Sequence, residues 1–167
     1  MNELTEGIPE HGYLYNIPYR DGMADDFFST RWFVNTWNML FPDKKVTGVK
    51  EIALRASNGD NNAQSLFENF ASNFVEFITP FLLNFKPEKL IIGGNIAKAS
   101  DFFLDNIQFQ LKKLNLITKI DICKLWDMSP LIGSAIYTSN ILENMENTKE
   151  KRHTNSTRRL SYCYHSD

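Results

Sequence analysis

The chain has 167 residues, of which 43 % are hydrophobic and 23 % charged, and its formal net charge is −2 at pH 7. This length supports one domain with a hydrophobic core, and this composition excludes an intrinsically disordered protein. The near-neutral charge provides no broad basic surface, so nucleic acid is not an expected partner.

Cysteine usage and targeting patterns narrow the class of protein further. The two cysteines, Cys123 and Cys163, form neither a disulfide framework nor a Cys-x-x-Cys zinc motif. The acidic N-terminus lacks the apolar core of a signal peptide. No apolar stretch reaches the ~20 residues that a membrane-spanning helix needs. We therefore expect a cytoplasmic protein without a membrane partner.

The first predicted elements are a strand and a helix. Residues 11–19 place tyrosine or isoleucine at alternate positions, which predicts a strand near a sheet edge. A helix over residues 26–41 is predicted by the i, i+4, i+7 spacing of Phe33, Trp37 and Leu40.

The middle of the chain contains the longest predicted helix. A short helix is predicted over residues 49–56, followed by a turn at 57–60. Residues 66–81 carry a wide apolar stripe rich in phenylalanine, and Pro80 should kink this helix or mark its last turn. The apolar run at 89–94 ends in two glycines and is typical of a buried parallel strand.

Three further elements complete the predicted fold. Apolar residues three or four apart predict a helix over residues 99–114, and alternation predicts a strand at 119–123. Ser129 and Pro130 form a typical helix start for a last helix that reaches Leu142. Strands that alternate with long helices predict an α/β layer architecture.

The end of the chain differs in composition. Residues 148–167 are polar, basic and aperiodic, which predicts a disordered tail after a domain over residues 1–147. A basic arm that contacts nucleic acid is a weaker alternative, because the positive charges are spread out.

The glycines at the end of the predicted strand are the strongest local indication of a binding site. Gly93 and Gly94 precede a helix, so backbone amides and the positive helix N-terminus could approach an anionic ligand there. The alternative is that these glycines merely close the strand. The sequence has no G-x-x-x-x-G-K motif, which excludes a P-loop.

Three segments resemble the C-terminal part of the ROK family. They are LLNFKPEKLIIGGNIAKASDFFLDNIQFQL, the later SPLIGSAIY, and the turn ASNGDNNA at 56–63. The family comprises bacterial sugar kinases and sugar-responsive repressors with an actin/hexokinase-like (ribonuclease H-like) fold. The residues that match the family pattern are Pro87, Glu88, Ile91, Gly93, Gly94, Leu131, Ile132, Gly133 and Ala135.

The resemblance implies particular site residues. Gly93 and Gly94 correspond to the glycines that lie against the nucleotide, and Glu10 and Asp25 correspond to two glutamates that bind sugar hydroxyls. A carboxylate suits the second task because it accepts charge-assisted hydrogen bonds. The alternative for Glu10 and Asp25 is that both are solvated surface carboxylates. Tyr13 occupies the position of a zinc-binding histidine and the cysteine cluster is absent, so we expect no zinc.

The implied function is part of an ATP- and Mg²⁺-dependent hexose kinase similar to glucokinases. The resemblance covers roughly residues 7–145, about half of a family member. The sequence lacks the family's D-x-G-x-T/S phosphate loop, and the catalytic aspartate belongs to the part not covered. We therefore expect a truncated lobe that supplies nucleotide contacts and part of the sugar wall, has no catalytic residue and is inactive alone.

Two further expectations concern an alternative function and self-association. The alternative to a kinase is the sugar-sensing lobe of a ROK-type repressor, which binds sugar without chemistry. A truncated lobe should also expose apolar surface and an unpaired strand over Tyr13–Tyr19, which favours a homo-oligomer.

Overall fold

The computed structural model describes residues 12–125 and 128–142. The chain forms two compact units, Met1–Trp126 and Asp127–Asp167. The predicted disordered tail and Glu10 lie outside the described residues. None of the described helices is long and apolar enough to cross a membrane.

The first unit alternates short strands with helices. The strands are β1 (Pro18–Tyr19), β2 (Gly22–Met23), β3 (Lys89–Ile92) and β4 (Lys119–Ile122). The α-helices are α1 (Ala24–Phe27), α2 (Thr30–Leu40), α3 (Val49–Ser57), α4 (Asn61–Phe85) and α5 (Leu104–Lys113). Two 3₁₀ helices span Pro42–Lys44 and Asn95–Phe102.

Helix α4 is the central element of the core. Asp60 caps its N-terminus, since Asp60 Oδ1 accepts hydrogen bonds from the backbone N–H groups of Asn62 (3.0 Å) and Ala63 (3.4 Å). The predicted apolar stripe of α4 is buried or half-buried. The helix continues through Pro80 to Phe85, so Pro80 does not mark its end.

Aromatic rings from several helices meet on α4. Phe33 of α2 is fully buried, and its ring centroid lies 4.8 Å from that of Phe67 and 5.0 Å from that of Phe70. Phe103, which follows α4 in the sequence, also packs against Phe70, with 5.0 Å between the ring centroids. Aromatic pairs at these distances add to the stabilisation from buried area. The heavy phenylalanine content therefore forms the core.

Strands β3 and β4 form a two-stranded parallel sheet, joined by the 3₁₀ helix and α5. Leu90 and Ile120 point toward the core, whereas Lys89, Ile91 and Asp121 are on the exposed side. Lys89 Nζ lies 2.7 Å from Asp121 Oδ2 across the two strands. The parallel pairing was predicted. The prediction that β3 is a buried strand is wrong for one of its faces, because the described residues cover only the other face.

The predicted strand over residues 11–19 is wrong except at its end. Residues 15 and 16 form a turn, and Tyr13 and Tyr15 are exposed. Only Pro18 and Tyr19 pair, in an antiparallel hairpin with Gly22 and Met23. Alternating tyrosines are a local pattern, and a strand also needs a neighbouring strand for its backbone hydrogen bonds.

Tyr19 fastens this hairpin to α4. Its hydroxyl donates to Glu76 Oε2 at 2.9 Å and lies 3.2 Å from the Asn73 carbonyl oxygen. Burial, together with the hydrogen bond to Glu76, raises the pKa of Tyr19 to about 12. Hydrogen bonds from Arg20 and from Tyr19 lower the pKa of the Glu76 carboxyl. The hairpin is thus held to α4 by the buried Tyr19 and by the Arg20–Glu76 ion pair.

The predicted helix over residues 26–41 is two helices. Helix α1 ends at Phe27, α2 begins at Thr30, and Ser29 is the N-cap residue of α2. Phe33 and Trp37 are buried as predicted, but Leu40, the last residue of α2, is exposed.

The second unit contains a helix over residues 129–142, which confirms the predicted helix, although Ser129 is already helical and not the N-cap residue. Ile132 is half-buried, while Ile136 and Leu142 are exposed. The apolar stripe of this helix is therefore largely uncovered among the described residues.

The open edge of β3 leads to a prediction about self-association. The carbonyls of Glu88 and Ile92 accept hydrogen bonds from the β4 side, so the peptide groups of Ile91 point the other way. Among the described residues no strand pairs with that edge, and Ile91 is 63 % exposed. We expect concentration-dependent association through β3, which Ile91→Lys should weaken.

Light scattering over a concentration series measures the self-association of the parent chain and of Ile91→Lys. The matched control is Ile117→Lys, since Ile117 is an exposed isoleucine in a loop away from the β3 edge, and it should leave association unchanged. A parent chain that stays monomeric at every concentration would contradict the prediction.

Candidate functional site

Two cavities are lined in part by the segment that follows β3. The first, here called the apolar cavity, has a volume of about 280 Å³. Its walls come from the segment before β1, from α1, α4 and β3, and from the residues next to them. The lining residues are Leu14, Tyr15, Ala24, Asp25, Phe28, Phe70, Phe74, Phe77, Ile78, Leu90, Ile91, Ile92, Gly93 and Ile96. Among them, Asp25 has the one charged side chain.

Backbone hydrogen bonds fix the position of Asp25. Its N–H donates to the carbonyl of Tyr15 at 2.9 Å, and the N–H of Ala24 donates to the carbonyl of Ile17, also at 2.9 Å. Ala24 is buried, whereas the Asp25 side chain is 48 % exposed and forms an ion pair with Arg31. The backbone of Asp25 is therefore fixed by hydrogen bonds, and its carboxylate is accessible to solvent beside the apolar wall of the cavity.

The glycine turn has the backbone conformation that its sequence predicts. Gly94 has φ 72° and ψ −170°, a region that only glycine adopts readily. It is exposed, and its carbonyl accepts from the N–H of Ala97 at 3.2 Å as the 3₁₀ helix begins. At Gly93 an added Cβ would lie 3.5 Å from Cβ of Cys123, which is an ordinary contact.

The second cavity, here called the cationic cavity, has a volume of about 590 Å³. It lies between the N-terminal turn of α3 and the 3₁₀ helix after Gly94. Its lining residues are Thr30, Gly48, Val49, Lys50, Ala53, Asn95, Lys98 and Ala99. Lys50 and Lys98 are exposed and have no ion-pair partner within the described part of the chain.

The structure brings together part of the predicted site. Asp25 and Gly93 line the same cavity although they are far apart in sequence, and Gly94 follows directly. Sequence reasoning missed Lys50 and Lys98. The available indications were the glycine that precedes the apolar stripe of α3 and the proximity of Lys98 to the glycine pair.

Within the described ranges, no group of three or more His, Cys, Asp or Glu side chains is placed to hold a metal ion. His11 and Cys163 lie outside those ranges. The expected lack of zinc therefore stays a prediction.

Comparison with known proteins establishes the family. No curated protein matches the chain. The model of the ROK family matches residues 22–140, which is well over half of the 167 residues and includes α1 to α5, β3 and β4. The chain therefore belongs to the ROK family of sugar kinases and sugar-responsive repressors.

Proposed function

We propose that this chain is the nucleotide-side lobe of a ROK-type hexose kinase similar to glucokinases, with an actin/hexokinase-like architecture. ATP binds at the Gly93–Gly94 turn and in the cationic cavity, and Asp25 binds sugar hydroxyls together with Glu10. One observation supports this most: the turn after β3 contributes Gly93 to a cavity with a carboxylate and Asn95 to a cavity with two lysines.

The cationic cavity has the chemistry of a phosphate site. Two lysines, Lys50 and Lys98, line this cavity together with the first residues of α3, where the helix dipole also favours an anion. Gly94 lets a ligand approach the backbone closely. The lining has no carboxylate, so these residues fit the phosphates and not the magnesium ion that accompanies ATP in kinases.

The sugar contact belongs to the other cavity. A carboxylate accepts hydrogen bonds from two neighbouring hydroxyls, and Asp25 is accessible enough to do so. The aromatic lining beside it, including Phe28 and Phe74, could cover the apolar face of a hexose.

Calorimetry with ATP tests the nucleotide assignment. We expect Lys98→Ala to weaken ATP binding by about 10-fold, because a charge-assisted contact to phosphate is lost. Lys112→Ala is the matched control, since Lys112 is an exposed lysine on α5 outside both cavities. Equal ATP affinity of the parent and Lys98→Ala would contradict the assignment. Binding of glucose without binding of ATP would favour the sugar-sensing lobe of a repressor.

A further inference from the structure

We propose that Arg31 is a positioning residue for the sugar: its guanidinium holds the Asp25 carboxylate in one orientation at the apolar cavity. This inference rests on the function proposed above, because it gives Asp25 the task of binding a hydroxyl. No sequence motif indicated Arg31, and its role is inferred from the geometry alone.

The hydrogen bonding of the Asp25 side chain involves one of its two carboxylate oxygens. Arg31 Nη2 donates to Asp25 Oδ2, and no other side chain or backbone group of the described residues bonds to this carboxylate. The second oxygen, Oδ1, is left available to a ligand hydroxyl. One oxygen is thus used for positioning and the other for binding.

Both partners sit on elements that cannot easily shift. Asp25 belongs to α1 and is tied to Tyr15 through its N–H, as described above. Arg31 is in the first turn of α2, which Phe33 and Trp37 anchor in the core. The distance between the two backbones is therefore set by the fold, and only the side chains have freedom left.

An aspartate at this position needs such a partner. An exposed carboxylate without one samples several rotamers, and a ligand that binds one of them must first select it. The guanidinium selects a rotamer in advance, because its planar N–H groups match the plane of a carboxylate. An aspartate that is shorter than the family's glutamate has less reach, so its orientation matters more.

Removing Arg31 should leave the fold intact. The Arg31 side chain is 70 % exposed, and exposed ion pairs contribute little to stability. A loss of sugar binding in Arg31 variants would therefore not reflect unfolding, and thermal denaturation would check this.

The experiment measures glucose and N-acetylglucosamine binding by calorimetry for the parent chain, Asp25→Asn, Arg31→Ala and Arg31→Lys. We expect Asp25→Asn to weaken binding on the order of 10- to 100-fold, since it removes the charge from the acceptor. Arg31→Ala should weaken binding by about 3- to 10-fold, and Arg31→Lys should restore part of the loss. Lys112→Ala controls for the loss of a surface cation.

The salt dependence of sugar affinity distinguishes a positioning role of Arg31 from a purely structural one, which would not change it. These sugars are uncharged, so added NaCl acts on their affinity through the protein's own charges. The parent affinity should fall as the Arg31–Asp25 pair is screened, while that of Arg31→Ala should stay flat.

The outcomes separate the two proposals. If Asp25→Asn weakens binding but both Arg31 variants bind like the parent, the positioning role is overturned and the sugar assignment stands. If Asp25→Asn binds like the parent, or the parent binds neither sugar, both are overturned.

Discussion

Replacing Gly94 with valine should abolish ATP binding by this chain. At φ 72° and ψ −170° a valine is strained by about 1–3 kcal/mol, so the turn must rearrange to relieve it. The branched side chain would also occupy the space through which the ligand approaches the backbone. Both effects act on the same turn, which makes the expected loss larger than that of any single lysine.

Gly59→Val is the matched control for Gly94→Val, since Gly59 is exposed, has a φ of 84° and lines neither cavity. An added Cβ at Gly59 meets no atom within 4 Å, as at Gly94. Calorimetry with ATP should show binding close to the parent for Gly59→Val and none for Gly94→Val. Thermal denaturation should show that both variants fold, since Gly94 is exposed and touches no core side chain. Equal ATP affinity in the parent and Gly94→Val would remove the nucleotide site from this turn.

The second large effect concerns catalysis: the chain alone should not phosphorylate glucose, mannose, fructose or their N-acetylamino derivatives. No D-x-G-x-T/S motif is present in its sequence. In the proposed function this chain supplies no carboxylate at the reacting hydroxyl, so general-base assistance of typically about 10²–10⁴-fold is absent. A chain without the D-x-G-x-T/S phosphate loop also lacks orientation that can contribute several kcal/mol more. Asp25 cannot substitute, because its proposed role is to bind hydroxyls that do not react.

A coupled assay of ADP release measures this for each sugar. Turnover above background that disappears in Asp25→Asn would show that the chain is a kinase by itself. Parallel calorimetry distinguishes a chain that binds ATP without turnover, as proposed, from one that has no nucleotide site.

Sequence periodicity predicted the helices well where burial follows a regular spacing. The stripe of α4 repeats over many turns and is capped by Asp60, so both its start and its buried face were predictable. The strand over residues 11–19 was not, since the N–H of Ile17 bonds to the carbonyl of Leu14 and turns the chain. Tyr19 hydrogen-bonds to Glu76, 57 residues away, and packs against the neighbouring Phe77, and such contacts leave no local pattern.

The candidate site was only partly predictable. Gly93 was indicated by its position between a strand and a helix and Asp25 only by resemblance to a family, and nothing in their spacing indicates that they line one cavity. Lys50 and Lys98 look like ordinary solvated lysines in the sequence. They come together because α3 packs beside the 3₁₀ helix Asn95–Phe102, which is a tertiary contact. The same reasoning applies to Arg31, whose role depends on a bend between α1 and α2.

The attachment of Tyr19 to α4 has a thermodynamic consequence for ligand binding. The rings of Phe27 and Phe77 enclose Tyr19 edge-on, with centroids at 5.1 and 5.5 Å, so the hairpin that leads into α1 is already ordered in the folded chain. A ligand that binds at Asp25 therefore does not have to order this segment. The conformational entropy cost of ordering it, about 1–2 kcal/mol per residue, is already incurred during folding. Sugar binding should accordingly show a small conformational entropy penalty, and Tyr19→Ala should make that entropy more unfavourable without removing a ligand contact.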